Sequence, residues 1–315
     1  LKGVEIFLSK YDNVKIILFG DEFLINDSIK QKNISLNNIE IVHTSQNVLD
    51  DDTASTILRN RKDSSIYKGL ENIKDLQFSG FVSAGNTAAL MILSRLILGM
   101  IKGIDRPAIC SVIPNNSGFS IMLDLGANIN VNASNLLQFA IMGYNYHLIL
   151  QPNRKPSIGI INIGTEVNKG FEYLQEASDL IKSSFLKDYY SGFIEPNKIT
   201  SGACNIMVCD GYTGNIMLKT AEGMSKFITD NLKNIFQKST LNNLVYKLLQ
   251  KDFIKFKDEI NPDKYNGASF IGVNGVSIKS HGSATPYAFA CAIERCYEFI
   301  NNDINQKISD QFNSL

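Results

Sequence analysis

The chain has 315 residues, enough for one large α/β unit or two lobes, and its 31 Lys plus Arg balance 31 Asp plus Glu. Zero net charge removes the global field that draws a protein to nucleic acid. The five cysteines form no CxxC pair and no zinc-type spacing with the three histidines, which indicates no metal site and reads as a reduced, cytoplasmic protein.

In chain order, Leu1-Lys2-Gly3-Val4-Glu5 is already helix-like, so the numbered chain is expected to start inside a longer protein. Val14 to Phe19 reads as a buried strand closed by Gly20-Asp21, and Ile39 to Val42 as another. Asp50-Asp51-Asp52-Thr53 offers a cap ahead of a basic helix with Arg59, Arg61 and Lys62. Asn86-Thr87 opens an apolar core helix running towards Lys102; its stretch from Ala88 to Ile101 holds Arg95 and is too short to span a bilayer. A helical pattern covers Thr213 to Phe236, and Leu241 to Ile260 repeats apolar residues at three- and four-residue intervals, giving a long amphipathic pair over about 213–260. The polar tail, Asn301 to Leu315, is expected to fray. His43 and His147 sit in apolar or strand-like surroundings and read as bystanders.

Five times an apolar run of strand type breaks into a glycine turn with small polar residues: at Ser83-Ala84-Gly85-Asn86-Thr87, Asp124-Leu125-Gly126-Ala127-Asn128, Asn162-Ile163-Gly164-Thr165-Glu166, Asp210-Gly211-Tyr212-Thr213-Gly214-Asn215 and Ser280-His281-Gly282-Ser283. Such runs fit strands buried on both faces, and their alternation with helices predicts a three-layer α/β/α fold with a largely parallel sheet. Open sheets of that kind bind ligands beyond the carboxyl ends of their strands, so the five turns are expected at one edge, forming one site. A helix N-terminus behind a glycine turn offers N–H groups and partial positive charge, which suits phosphate. No GxGxxG, GxxxxGK[ST] or GxSxG motif is present, so the usual dinucleotide, nucleoside-triphosphate and hydrolase readings lack their signatures.

At these turns the sequence resembles the bacterial PlsX-type phosphate acyltransferase family of phospholipid synthesis. Lys62-Asp63-Ser64-Ser65, Gly103-Ile104-Asp105-Arg106-Pro107-Ala108, Lys169-Gly170 and Leu218-Lys219-Thr220 extend the match, in the family's order, from about residue 1 to residue 300. The resemblance implies a fold related to phosphotransacetylases and isopropylmalate-type dehydrogenases. It further implies conversion of acyl-acyl carrier protein and inorganic phosphate to acyl phosphate, no cofactor, a homodimer, and a place on the cytoplasmic side of the membrane. It spans residues 1–300 as a single domain, leaving 301–315 as a tail. The family's glycine-rich amino-terminal strand segment is absent. Ala88 replaces a glycine, Asn130 stands where aspartate is common, and Pro196-Asn197-Lys198 replaces a glycine-arginine-aspartate stretch.

Phosphate is already an oxyanion nucleophile and a thioester already an activated donor, so the chemistry asks for positioning, charge compensation and oxyanion donors. Phosphate binding is assigned to Ser83, Gly85, Asn86 and Thr87, helped by Thr213, Gly214 and Asn215. Lys169 and His281 are the candidates for neutralising phosphate or the developing oxyanion, with Asp210 orienting one of them. Asp124, Asn128, Asn162, Glu166 and Ser283 line the site. Carrier protein is acidic, so Arg59, Arg61, Lys62, Lys102 and Arg106 are expected to dock it. The helical pair is expected to pack in a dimer interface, with peripheral membrane contact as the lesser reading. A short-chain acyl-CoA phosphotransacylase and a non-catalytic lipid-synthesis scaffold are the competing readings.

Overall fold

A mixed eight-stranded sheet runs in the order β3-β10-β9-β4-β5-β8-β6-β7, and a parallel pair β1-β2 stands beside its β3 edge. The computed structural model describes residues 1–35, 38–49, 52–74, 79–238, 242, 248–253 and 261–313. The first half comprises α1 (Lys2–Leu8), β1 (Ile16–Gly20), α2 (Glu22–Gln31), β2 (Ile39–His43), α3 (Ala54–Asn60), α4 (Ser65–Ile73), β3 (Gly80–Ser83), α5 (Thr87–Leu93), β4 (Ala108–Asn115) and β5 (Gly118–Leu123). The second comprises α6 (Ala133–Leu150), β6 (Ile158–Ile161), α7 (Glu172–Ser183), β7 (Tyr190–Ile194), β8 (Ile206–Val208), α8 (Gly211–Gln237), β9 (Ala268–Ile271), β10 (Val276–Lys279), α9 (Pro286–Asn301) and α10 (Ile304–Asn313).

The sheet repeats itself about its centre. Outward from the antiparallel β9–β4 pair, each side continues with an antiparallel hairpin partner, β10 or β5, and then a parallel strand, β3 or β8. Helix α9, which follows β10, is covered by α1, and α6, which follows β5, is covered by α7. The flanks are parallel, as the apolar runs predict; the antiparallel centre arises because two hairpins change the chain's direction halfway across.

Helix α6 is apolar nearly all round and is buried against β5 and β8, with Leu136, Phe139, Ala140 and Tyr146 fully inaccessible. The core helix from Thr87 stops being α-helical at Leu93, continues as a π-helical turn over Ser94–Leu98, and ends at Gly99, whose φ of 76° is left-handed. There the buried Ser94 and Ser277 hydroxyls pair at 2.9 Å. Residues 304–313 do not fray: Ile304 and Ile308 are buried, and α10 packs on α6. An apolar side chain every fourth residue is enough to dock a helix that is otherwise polar.

Most of the predicted second amphipathic helix, including Leu241, Leu244, Val245, Lys247, Lys255, Lys257 and Ile260, lies outside the described residues, as do Asp50 and Asp51. Of the rest, Phe253 packs edge-on against Phe236 of α8 at 4.7 Å, while Leu248 is exposed. Among the described residues no helix is long and apolar enough to cross a membrane.

Candidate functional site

The strand directions divide the five turns. β3 and β10 end at one edge of the sheet, whereas β5, β6 and β8 run the opposite way and end at the other. The single edge expected from the sequence is therefore overturned, because three antiparallel pairings, β10–β9, β9–β4 and β4–β5, stand between the halves and leave them running opposite ways. Apolar runs carry no record of that reversal.

At the β5–β6–β8 edge three turns interlock. Asp124 is fully buried; its Oδ1 accepts the N–H groups of Ile109, Gly126 and Ala127 at 3.0–3.1 Å, and its Oδ2 accepts from the backbone and side-chain nitrogens of Asn128 at 2.6 and 2.9 Å. Burial raises the Asp124 carboxyl pKa, an effect that the hydrogen bonds from Ala127, Ile109 and Asn128 offset only in part. The Asn128 carbonyl in turn accepts from Gly211 N–H at 2.7 Å, tying the β5 turn to the start of α8. Gly214 packs so closely on the Asp124 carbonyl oxygen that a Cβ there would collide with it. Asp210 caps α8, accepting from Thr213 N at 2.8 Å and Thr213 Oγ1 at 2.7 Å. The Tyr173 hydroxyl of α7 donates to Asp210 at 3.4 Å, and burial with that carboxylate pushes the phenol pKa up to about 12.

The β6 turn is held by Asn162, which is buried. Its Nδ2 donates to the Lys169 carbonyl at 2.9 Å and its Oδ1 accepts from Ile163 N at 2.8 Å. Gly170 closes the turn at φ 85°, where a Cβ would also strike Asn162. With its backbone pinned, Lys169 holds out a side chain that is 48 % accessible, its ammonium paired with Glu166 at 2.9 Å. The hydrogen bond to Glu166 raises the lysine pKa, and the same bond lowers that of Glu166. Asn215 is exposed beside the β5 turn, its Cβ 3.7 Å from where a side chain on Gly126 would begin. Large apolar side chains on these three turns and the helix starts behind them face solvent: Ile129, Ile163, Val167, Phe171, Tyr212 and Ile216. An anion-attracting lysine on an edge that also exposes apolar side chains suits an amphiphile with a charged reacting end.

At the β3–β10 edge, Ser83 is buried and its Oγ accepts from Gly85 N at 3.1 Å, while Asn86 caps α5 by accepting from Ala89 N at 2.9 Å. Thr87 is exposed in the first turn of α5. Strand β10 brings its turn alongside, with Ser280 N donating to the Ser83 carbonyl at 2.9 Å. His281 is exposed; its Nδ1 meets the Ser283 hydroxyl at 2.8 Å and accepts from Ser283 N at 3.2 Å, which directs Nε2 away from the turn.

The basic residues assigned to docking do not form one patch. Arg61 is committed to Asp52, Nε to Oδ2 at 3.0 Å, and with exposed Arg59 and Lys62 precedes α4, whose Ile66 lies against Gly85. Lys102 and Arg106 precede β4 at the opposite edge, where Arg106 donates to the Asn130 carbonyl at 2.9 Å. His147 is buried with Nε2 at the Arg154 carbonyl, and His43 accepts from Glu22 N, so both are structural.

Sequence reasoning missed Tyr173, Asn266 and Lys279. Tyr173 lies in a helical pattern and gives no local signal. Asn266, whose side chain grips Ser280 Oγ at 2.7 Å and His281 N at 3.1 Å, is marked by the turn dipeptide Asn266-Gly267 ahead of β9. Lys279 is half-buried in β10 with its pKa lowered by burial, and its Nζ donates to the Ser280 carbonyl; a lysine closing an apolar strand was a legible sign.

The family described as Fatty acid synthesis protein matches residues 1–307. The chain is 38 % identical over 304 residues to a phosphate acyltransferase of Paraburkholderia phymatum, covering 96 % of this chain and 80 % of that protein. It is 38 % identical over 309 residues to one of Rhodospirillum rubrum, covering 98 % and 88 %. Among solved structures, a phosphotransacetylase from Streptococcus pyogenes superposes with a TM-score of 0.62 at 15 % identity over 96 % of this chain and 91 % of that one. The EutD phosphotransacetylase from Staphylococcus aureus does so at 0.56 and 14 %, over 97 % and 98 %. At such identities these two show a shared fold.

Proposed function

The chain belongs to the fatty acid synthesis protein family, whose curated relatives are phosphate acyltransferases, and from that premise we propose that its reaction takes place at the β5–β6–β8 edge around Lys169. It is a phosphate acyltransferase of the PlsX type: phosphate attacks the carbonyl carbon of an acyl thioester, the tetrahedral intermediate expels the thiolate, and acyl phosphate and free thiol result. The thiolate, with a pKa of about 8.5, leaves readily and takes up a proton. The donor is acyl-acyl carrier protein.

One observation carries this placement. Lys169 is an exposed cation on a turn whose backbone is fixed by a buried asparagine, on an edge of the sheet that also exposes several large apolar side chains. A fixed cation gathers phosphate and offsets the oxyanion without reorganising, and the exposed apolar side chains of this edge receive the acyl chain. Glu166 holds the ammonium in place until phosphate displaces it. Asn215, exposed beside the β5 turn, is the second polar group proposed to meet phosphate.

The remaining candidates on this edge act by positioning. Asp124, Asn128, Asn162, Asp210 and Gly214 spend their polar groups or their lack of a side chain on joining the turns, and Asp210 has already taken the Thr213 N–H. Ser83, Gly85, Asn86, Thr87, His281 and Ser283 form a separate polar cluster at the other edge. Lys102 and Arg106 are the basic residues placed to meet an acidic carrier here. The exposed Met224, Phe227, Ile228 and Ile235 of α8 supply the surface for a homodimer.

The test is phosphate-dependent release of free thiol from acyl-acyl carrier protein, with acyl phosphate trapped by hydroxylamine. Equal turnover with a short-chain acyl-CoA would favour the phosphotransacylase reading, and absence of turnover the scaffold.

A further inference from the structure

The carbonyl oxygen of Lys169 accepts two side-chain amides. Asn162 Nδ2 reaches it from the end of β6 at 2.9 Å, and Gln175 Nε2 reaches it from the start of α7, also at 2.9 Å. A carbonyl has two lone pairs, so this one is fully used. The Lys169 N–H donates to the Glu166 carbonyl at 3.2 Å, and the ammonium pairs with the Glu166 carboxylate. Asn162 and Glu166 belong to the β6 turn itself, whereas Gln175 belongs to the helix behind it. The second amide matters because the next residue is a glycine. Gly170 sits at φ 85°, and glycine takes positive and negative φ about equally readily, so sterics alone leave the peptide unit between Lys169 and Gly170 free to swing. One donor lets that unit pivot about its contact. Two donors arriving from different elements fix its direction.

Helix α7 is a firm support for such a donor. Leu174, Ala177, Ser178 and Ile181 bury its inner face, it packs on α6, and Gln175 is half-buried beside that face. Phe171, which precedes the helix, gives it no side-chain cap, so the turn and the helix are not joined by the usual capping bond. The Gln175 amide joins them instead. Two residues earlier the Tyr173 hydroxyl donates to Asp210 at the start of α8, so the opening of α7 is tied both to the turn that carries Lys169 and to the helix that carries Asn215.

We propose that Gln175 is a positioning residue for the acyl transfer: by donating to the Lys169 carbonyl it fixes the peptide unit from which the lysine side chain projects, and so the place of the ammonium. This rests on the siting of the reaction at Lys169 proposed above. Gln175 touches neither phosphate nor thioester and acts through the lysine. The position asks for an amide. An ionised glutamate of the same shape would set an acceptor against the carbonyl oxygen, on a helix start that already carries Glu172 and Glu176.

Steady-state acyl-phosphate formation from acyl-acyl carrier protein at about pH 8, where a glutamate is ionised, tests this with Gln175→Met, Gln175→Glu and Lys169→Ala, alone and combined. Met fills a similar volume without an N–H; Glu keeps the shape and reverses the polarity. The expected kcat is lower by about five- to tenfold for Gln175→Met and lower still for Gln175→Glu, with the KM for carrier protein within about twofold of wild type and circular dichroism unchanged. In Lys169→Ala protein neither substitution lowers the rate further by more than about twofold, because the side chain that Gln175 places is gone. A merely structural role predicts the opposite order of Met and Glu, and a loss that persists without the lysine. Gln175→Met at the wild-type rate, Gln175→Glu faster than Gln175→Met, or a full loss retained in Lys169→Ala protein would each overturn the proposal while leaving Lys169 in its role. A Lys169→Ala rate near wild type would overturn both.

Discussion

Asp124 Oδ2 accepts both the backbone N–H and the side-chain amide of Asn128, at 2.6 and 2.9 Å, so one buried carboxylate shapes the turn whose Asn128 carbonyl receives the first N–H of α8. Five N–H donors converge on this group, three of them on Oδ1. Replacing it by an amide turns an acceptor into a donor facing donors.

Asp124→Asn is therefore expected to lower folding stability by about 3 kcal/mol, the scale of losing hydrogen bonds to a buried charged group. Urea unfolding measures it. A change of less than about 0.5 kcal/mol would show that the turn does not depend on the carboxylate.

Two glycines of one helix should respond in opposite senses. Gly214→Ala drives a Cβ into the Asp124 carbonyl oxygen and displaces the start of α8, lowering both the melting temperature and turnover. Gly223→Ala meets nothing within 4 Å and should raise stability by about 1 kcal/mol through helix propensity. Thermal unfolding of the two variants decides between a packing role and a generic helical one for Gly214.

The Lys169–Glu166 pair sets a pH expectation. Each partner extends the other's ionised range: the lysine pKa is raised, so its cation persists as pH rises through the ordinary lysine value, and the glutamate pKa is lowered, so its anion persists as pH falls through the ordinary carboxylate value. The ratio of wild-type to Lys169→Ala rates is thus expected to be flat from about pH 6 to pH 9. A ratio that collapses within that window would mean the lysine acts as a titrating base.

The two polar edges are expected to act independently. Lys169→Ala and His281→Ala lie on turns at opposite ends of the strands, so their effects on the transition-state free energy should add within about 0.5 kcal/mol. A larger coupling in a double-mutant cycle would place His281 with Lys169 in one site.

Much of this was legible in the residues. The apolar runs ending at Ser83, Asp124, Asn162, Asp210 and Ser280 do mark strand ends, and the turn chemistry of Asn86 and Asp210 does mark helix starts. What could not be read was direction. A strand looks the same whichever way its neighbour runs, and only the long-range pairing of β4 with β9 separates the turns into two sets. Nor does a local pattern distinguish a polar group that joins two turns, such as Asn162, from one left facing solvent, such as Lys169. Their partners lie within one turn of the chain, so the difference is which way each side chain faces once that turn is folded. The docked tail failed for a related reason: Ile304 and Ile308 look sparse until α6 is there to receive them.

The central claim is that Lys169 on its pinned turn compensates charge as phosphate takes the acyl group. Single-turnover formation of acyl phosphate from acyl-acyl carrier protein, by Lys169→Ala protein whose circular dichroism matches the wild type, tests it most directly. The account predicts a rate lower by a factor on the order of 10², because a preorganised cation is lost from the reacting centre. A rate within about twofold of wild type would contradict it, since an effect that small is under 0.5 kcal/mol.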